Sequence, residues 1–280
     1  MLRNTKRRFA DLPPGADSPL NAAVAQRDKD VLQMVEEAVA HNQTLMAYQP
    51  IMTAGDQSQT AFYEGLIRIL DPTGRVIPAR DFITVVEDTE LGRKIDTLAL
   101  RMGTAALSAH PRLRLSINMS ARSIGFKPWR TLLNRAIKRD PTLAERLIFE
   151  ISEASTMLLP ELVADFMGEY QKWGVCFAMD RFGSGHMAIR YFRDFFFDVL
   201  KIDGQFIRGI STNADNQVIT SALLAMAREF DLITVAENVE TDADARLVTR
   251  LGVDCLQGYY FSAPTTQPGW AQPQQQTRAG

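Results

Sequence analysis

The chain has 280 residues, 46% of them apolar, and a formal net charge of −2. This length and apolar content suit one large core, and the near-neutral charge argues against DNA or RNA as a partner. Cys176 and Cys255 stand in separate apolar segments without CxxC spacing, so we read them as buried thiols in a reducing compartment and not as zinc ligands. No segment is long and apolar enough to predict a membrane span, and a soluble cytoplasmic protein is expected.

Both ends of the chain differ in composition from its middle. Residues 1–42 begin with a charged stretch followed by LPPGADSP, which predicts a flexible or helical lead. Residues 265–280 are rich in Gln and Pro without a period, which predicts a disordered tail. The apolar periodicity lies in residues 43–264, which we therefore predict to be the folded domain, with both ends dispensable for it.

Eight apolar segments in this middle region predict strands, at residues 45–52, 60–70, 113–119, 146–152, 175–180, 198–203, 232–237 and 253–261. Helix-period segments fill most of the gaps, for example at 159–174 and 213–230. The gap TAGDQSQ between the first two strands is too short for a crossover helix, so these strands must pair as an antiparallel hairpin. We therefore predict an α/β fold, a (β/α)8 TIM-like barrel with an antiparallel first strand.

Polar side chains stand at the downstream end of nearly every predicted strand: Glu64, Asn118, Glu150, Asp180, Lys201, Asp203, Glu237 and Gln257. In a closed parallel sheet such side chains converge on one rim of the barrel. Hard oxygen ligands clustered there are what magnesium or manganese prefers. Glu64, Asn118, Glu150 and Asp180 could form one all-oxygen site.

Seven short motifs follow one another through this region: YEGLIR, INMS, FEISE, DRFGSG, LKID, VAENVE and QGYYFSAP. Each is weak alone, but in this order and spacing they make the chain, from about Tyr48 to Pro264, resemble the EAL domain, a bacterial phosphodiesterase family that linearises cyclic di-GMP. Glu64-Gly65-Leu66 stands at the signature motif, where the family usually has Ala in the middle. The family's barrel also has an antiparallel first strand, in agreement with the short hairpin.

The resemblance implies a role for each rim residue. A first Mg²⁺ or Mn²⁺ ion would be held by Glu64, Asn118, Glu150 and Asp180. The attacking water would be oriented by Lys201, with Glu237 and Asp203 in the network of metal and water. Contacts to the nucleotide would come from Gln49, Arg68 and Gln257. The loop after the strand that ends at Asp180 would be anchored by Glu153.

Arg181 departs from the family's pattern, because an aspartate that helps to hold a second ion is usual after Asp180. A guanidinium there removes one ligand and adds a like charge, so we expect one ion at most. An aspartate and a divalent cation together carry +1, the charge of arginine alone, so Arg181 could hold the phosphate bidentately instead. It cannot acidify a water. His186-Met187-Ala188, where the family has YSS, also alters the loop.

Three functions of different classes stay open at this point. The first, which we favour, is a receptor that binds cyclic di-GMP with hydrolysis lost or impaired. The second is an active metal-dependent phosphodiesterase that produces linear pGpG. The third is a protein-interaction module that no longer binds the nucleotide. Purely structural roles also remain open, namely an ion pair between Glu64 and Arg68, another between Lys201 and Asp203, and a turn capped by Asn118. A homodimer and a protein partner are expected in addition.

Overall fold

The computed structural model of the protein describes residues 19–185 and 189–271. Nine strands are present in this part of the chain: β1 Thr44–Thr53, β2 Thr60–Leu70, β3 Val76–Pro78, β4 Leu115–Asn118, β5 Leu147–Ser152, β6 Cys176–Phe182, β7 Val199–Ile202, β8 Ile233–Ala236 and β9 Cys255–Leu256. Their order is β1-β9-β8-β7-β6-β5-β4-β2-β3, and β1 also pairs with β2. Eight strands thus close a barrel, and β3 lies outside it on the edge of β2.

The direction of the first strand agrees with the sequence prediction. β1 is antiparallel to both of its neighbours, β2 and β9. The other seven barrel strands, β2 and β4 to β9, run parallel to one another. Residues 54–59 join β1 to β2 without a helix, as the short gap required. The predicted (β/α)8-like barrel is confirmed.

Nine α-helices are described: α1 Pro19–Ala40, α2 Ile83–Val86, α3 Glu90–Ala109, α4 Lys127–Arg139, α5 Glu153–Leu158, α6 Pro160–Tyr170, α7 Gly204–Ile207, α8 Ala214–Glu229 and α9 Asp242–Leu251. α6 buries an apolar stripe at helical spacing, formed by Val163, Phe166, Met167 and Tyr170. The chain then leaves the helical region at Gly174, which adopts a left-handed conformation with φ +94°. Helices on the outside and side chains inside therefore bury β5 and β7 on both faces.

The last predicted strand is much shorter than expected. The apolar run 253–261 predicts nine residues, but only Cys255–Leu256 forms a strand. Just beyond it, Gly258 lies against the backbone of Val239, where an added Cβ would come within 2.0 Å of the Val239 carbonyl oxygen. The chain turns away from the sheet at this close approach, so the apolar residues after it pack without strand pairing.

The described structure continues beyond both expected domain boundaries. Trp270 packs edge-on against Tyr48, Tyr63 and His110, with ring centroids 4.9, 5.8 and 4.7 Å away. Thr265 and Tyr48 exchange two backbone hydrogen bonds. At the other end, α1 buries Val35 and Ala38 in the core. The expectations for residues 1–18 and 272–280 concern parts of the chain outside the described residues.

None of the helices in residues 19–185 and 189–271 combines the length and the apolarity that crossing a membrane requires.

Candidate functional site

The rim of the barrel brings four acidic side chains around one lysine. Lys201, at the end of β7, is 1% exposed, and its Nζ lies 2.6 Å from Glu150 Oε2, 3.1 Å from Glu237 Oε1 and 3.2 Å from Glu64 Oε2. Asp180 Oδ1 is 3.4 Å from the same ammonium. Side chains from β2, β5, β6, β7 and the residue after β8 therefore meet at one point, as expected for the downstream ends of parallel strands.

Glu64 is held by three donors. Asn118 Nδ2 donates to Glu64 Oε1 at 2.7 Å, and Gln257 Nε2 and Lys201 Nζ donate to Oε2 at 2.5 and 3.2 Å. Gln257 also donates to Gln49 Oε1 at 3.1 Å, and Gln49 in turn donates to the Ser262 carbonyl. The sequence-predicted residues Gln49, Glu64, Asn118 and Gln257 thus form one connected network.

Burial and neighbouring charges shift the pKa values of the side chains in this cluster. Burial and the charge of Glu64 raise the pKa of Glu150 to about 8, against the opposing effect of Lys201. Burial also raises the pKa of Glu237 well above its ordinary value. For Glu64, burial acts in the same direction, but Lys201 and the donors Gln257 and Asn118 outweigh it and the pKa is lowered. Burial works against the charge of Lys201, yet the surrounding carboxylates raise its pKa, so it stays an ammonium.

Among the described residues, three buried oxygens of this cluster accept no hydrogen bond: Glu150 Oε1, Asp180 Oδ1 and Gln257 Oε1. Asp180 Oδ1 has only the ion-pair contact with Lys201 at 3.4 Å. Buried polar atoms are nearly always satisfied, so such oxygens are suited to a ligand that accepts lone pairs. Carboxylate and amide oxygens without nitrogen or sulfur donors fit Mg²⁺ or Mn²⁺. Within the described residues, however, the acidic side chains surround the Lys201 ammonium and do not form a ready-made metal cluster.

The strand that carries Asp180 is irregular at that point. The pairing of β6 with β7 shifts register between Met179 and Phe182. Arg181 lies inside this shift in a left-handed conformation, with φ +55°. Its side chain is 62% exposed, and its Nε lies 3.7 Å from Asp180 Oδ2. Asp and Asn adopt this backbone conformation far more readily than Arg, for which it costs about 1 kcal/mol.

Glu153 lies where the resemblance places a loop anchor. Its buried carboxylate accepts hydrogen bonds from the backbone N–H groups of Gly183 and Gly185, at 3.0 and 3.2 Å. The loop that follows Arg181 is therefore fixed at two points from α5. His186, Met187 and Ala188 lie outside the described residues.

Two other predicted site residues make none of the described hydrogen bonds or ion pairs with the cluster. Asp203 caps α7 by accepting from the Gln205 N–H at 2.8 Å, and the described ion pairs of Lys201 go to the four acids and not to Asp203. Arg68 donates to the Ile67 carbonyl at 3.0 Å, and burial lowers its pKa. The turn after Asn118 is capped by Ser120 and not by Asn118.

Sequence reasoning missed the central place of Lys201. From the resemblance, Lys201 was expected to orient a water molecule. The structure places its ammonium within 3.4 Å of four acidic side chains. A single polar residue at a strand end carries no signal of this convergence, because the acids are distant in sequence: Glu64 precedes Lys201 by 137 residues and Glu150 by 51, whereas Glu237 follows it. Only closure of the barrel brings them together.

The raised pKa of Glu150 predicts a pH-dependent stability. Its pKa is about 8 in the folded protein against an ordinary 4.5, so the stabilisation is complete below about pH 4.5 and is lost as the pH rises through 8. In a chelator, the free energy of unfolding should therefore fall between about pH 5 and 8, by up to roughly 1.4 kcal/mol per pH unit. Urea titrations at several pH values would measure it. Glu150→Gln is the control, and an equal pH slope in that variant would contradict the assignment.

Comparison with known proteins agrees with this geometry. The signalling protein YkoW of Bacillus subtilis is 31% identical over 235 residues, which cover 82% of this chain and 29% of YkoW. The cyclic di-GMP phosphodiesterase PdeB of Shewanella oneidensis is 29% identical over 234 residues, which cover 82% of this chain and 27% of PdeB. The chain thus spans less than a third of the length of either relative.

Two solved structures have the same barrel. The PaMucR phosphodiesterase in complex with c-di-GMP matches with a TM-score of 0.74 at 27% identity, over 84% of this chain and 97% of that one. The FimX EAL domain of Pseudomonas aeruginosa bound to c-di-GMP matches with a TM-score of 0.77 at 24% identity, over 85% and 97%. The family model described as EAL domain matches residues 32–264, and the chain therefore belongs to the EAL domain family.

Proposed function

We propose that this EAL domain acts in cyclic di-GMP signalling as a receptor, which binds the nucleotide while its hydrolysis is lost or impaired. The observation that carries the proposal is that the predicted rim residues are present, while the residue after Asp180 is an arginine. Lys201 and its four acids converge within 3.4 Å, but Arg181 follows Asp180. Among the solved structures with this fold, PaMucR and FimX are complexes with c-di-GMP, which supports the same ligand here.

The rim residues fit one divalent ion. Glu64, Asn118, Glu150 and Asp180 would hold Mg²⁺ or Mn²⁺, since Glu150 Oε1 and Asp180 Oδ1 are buried without a hydrogen-bond partner among the described residues. When bound, such an ion acidifies a water and neutralises charge on the phosphate. Lys201 keeps its proton at neutral pH and can hold a water or a phosphate oxygen by donation. Gln49, Arg68 and Gln257 would contact the nucleotide, and Glu237 and Asp203 would bind water.

Arg181 weakens the catalytic side of this arrangement. The residue lies in the same register shift as Asp180, and a carboxylate here would add a second oxygen ligand beside the first. The guanidinium supplies no ligand oxygen, and it is largely exposed, so it is free to reach a phosphate in the site. Ground-state binding of the nucleotide is thus retained, while activation of a water by two ions is not.

Binding of cyclic di-GMP is the first test. Calorimetric titration, with and without Mg²⁺ or Ca²⁺, should give a measurable affinity, and nucleotide at about 100 times its Kd should stabilise the fold by about 2.7 kcal/mol. Arg68→Ala, which removes a proposed contact to the nucleotide, is the matched control and should bind more weakly. Absence of both heat and thermal shift at high micromolar nucleotide would leave the protein-interaction module as the function.

The enzyme alternative keeps one specific support. All members of the proposed first-ion set are present, and PdeB and PaMucR carry the name phosphodiesterase. A one-ion phosphodiesterase would convert cyclic di-GMP to linear pGpG slowly. Chromatography of the nucleotide after incubation with Mn²⁺ separates the two functions, because a receptor with lost or impaired hydrolysis leaves the cyclic form largely unchanged while an enzyme turns it over repeatedly.

We also propose that the protein forms a homodimer. The outer side of α8 exposes Val218 to 70%, with Ile219, Ala222 and Ala225 exposed on the same helix. Large exposed apolar residues grouped on a helix are typical of an interface. Light scattering should give the mass of two chains, and Val218→Lys should shift it towards one chain. A monomeric wild-type protein at micromolar concentration would contradict this proposal.

A further inference from the structure

Asp96 is a buried acid that the proposed ion site does not use. It lies on α3, is 9% exposed, and takes part in none of the ion pairs formed by the described residues. Burial raises its pKa to about 6 against the lowering effect of its hydrogen bonds, and the like charge of Glu87 adds slightly to the increase. A carboxylate buried without a cation is unfavourable, so its hydrogen bonds must matter to the fold or to the site.

Both of its hydrogen bonds go to one loop. Asp96 Oδ2 accepts from the Ser120 backbone N–H at 2.9 Å and from Ser123 Oγ at 2.6 Å. Ser120 is two residues after Asn118, which donates to Glu64 at the rim. Asp96 therefore binds the segment that directly continues from a site residue, without contacting the rim itself.

The loop is fixed from three sides at successive residues. The Met119 N–H donates to the Glu150 carbonyl at 2.9 Å, the Ser120 N–H to Asp96, and the Ala121 N–H to Ser155 Oγ at 2.9 Å. The acceptors belong to β5, α3 and α5. Of these three acceptors only Asp96 is ionisable and takes a second donor from the same loop. It is thus the strongest of the three restraints.

We propose that Asp96 is a positioning residue of the site: by holding Ser120 and Ser123, it sets where Asn118 presents its side-chain amide to Glu64 and to a bound ion. Groups that hydrogen-bond a metal ligand directly change metal affinity by about 10- to 100-fold when they are replaced, and Asp96, which bonds the adjoining loop, should have an effect at the lower end of this range. The inference rests on the proposed function where the affinity for Mn²⁺ or cyclic di-GMP is measured. The position of the Asn118 side chain can be measured without any ligand and does not depend on that function.

Three variants separate positioning from stability. Asp96→Leu removes the acceptor. Asp96→Asn keeps one oxygen, and because both donors converge on Oδ2, that oxygen can accept both hydrogen bonds without the charge. Val248→Ala is the stability control, since Val248 is buried in a separate apolar cluster around α9. It should lower the melting temperature without affecting the rim.

The first measurement needs no ligand. In protein labelled with ¹⁵N-asparagine, the Asn118 side-chain amide signal, assigned by its loss in Asn118→Ser, should move in Asp96→Leu and stay in place in Val248→Ala. The second is the Kd for Mn²⁺ and for cyclic di-GMP, which should rise about 10-fold in Asp96→Leu and return to within a few-fold of wild type in Asp96→Asn.

The outcomes are distinguishable. An unmoved Asn118 signal in folded Asp96→Leu, or a loss of affinity in Asp96→Asn as large as in Asp96→Leu, would overturn the positioning role. If wild-type protein binds neither Mn²⁺ nor cyclic di-GMP, the proposed function fails, and the Asn118 signal alone decides the inference. If Asp96→Leu does not fold, Ser123→Ala takes its place, with a smaller shift of the same signal expected because one of the two hydrogen bonds is lost.

Discussion

Arg181→Asp should raise the hydrolysis of cyclic di-GMP to linear pGpG, by up to ~10³-fold over the wild-type rate. The substitution places a second carboxylate beside Asp180 in the same register shift of β6, where a second divalent ion can bind. Two ions lower the pKa of a bound water from about 15.7 towards 7, which the guanidinium cannot do. Nucleotide chromatography in Mn²⁺ measures the rate. A partial gain is expected, because residues 186–188 also differ from the family's pattern.

Arg181→Asn is the matched control for this prediction. Asn shares the preference of Asp for the left-handed conformation at φ +55°, so both variants relieve about 1 kcal/mol of backbone strain and should melt slightly higher than wild type. Only Asp adds a ligand charge. Equal activity in the two variants, or a wild-type rate already at ~1 per second or above, would show that Arg181 does not block an ion site and would favour the enzyme.

Lys201→Met should be the most destabilising single change at the rim. It removes the cation that Glu64, Glu150, Asp180 and Glu237 share, so each of these side chains that ionises adds an uncompensated buried charge. Breaking a buried ion pair in this way costs about 3–5 kcal/mol. A divalent ion can replace the lost charge, so Mn²⁺ should raise the melting temperature of Lys201→Met far more than that of the wild-type protein.

The double variant Lys201→Met with Glu150→Gln controls for lost packing. Removing one of the four acids relieves like-charge repulsion, so the double variant should be more stable than Lys201→Met alone, with a coupling measured by the double-mutant cycle. The defect of Lys201→Met should also grow as the pH rises, since the raised pKa of Glu150 keeps its side chain neutral at low pH and its ionisation then adds a charge that no lysine offsets. A destabilisation below ~1 kcal/mol at alkaline pH would mean that the ammonium does not hold the acids together.

The sequence was sufficient to predict the barrel, its antiparallel first strand and the convergence of most strand-end polar residues, though not of Asp203, which caps α7 instead. These follow from strand ends and from one short gap, which are local properties of the chain. The connections among the rim residues were not predictable in this way. The hydrogen bond from Gln257 to Glu64 joins residues 193 positions apart, and whether Lys201 pairs with Asp203 or with Glu150 depends on side-chain direction after closure.

Local sequence also failed where a buried backbone contact decides the conformation. β9 stops at Leu256 because the chain passes close to Val239 at Gly258, although the apolar run continues. Likewise, nothing in the Gln- and Pro-rich composition after Pro264 marks Trp270 as a partner of Tyr48 and Tyr63. Asp96 gave no signal either, because a lone acid in an amphipathic helix normally faces solvent.

The short pairing between β1 and β9 has a consequence for how the chain folds. β1 meets β2 through a hairpin formed by neighbouring residues, but it meets β9 only at Met52–Leu256 and Thr53–Cys255, more than 200 positions away. Such distant contacts are slow to form, because the loop entropy is lost before the contacts stabilise the product. During synthesis the hairpin can form early, yet the barrel stays open along one edge until the segment around Cys255 has left the ribosome.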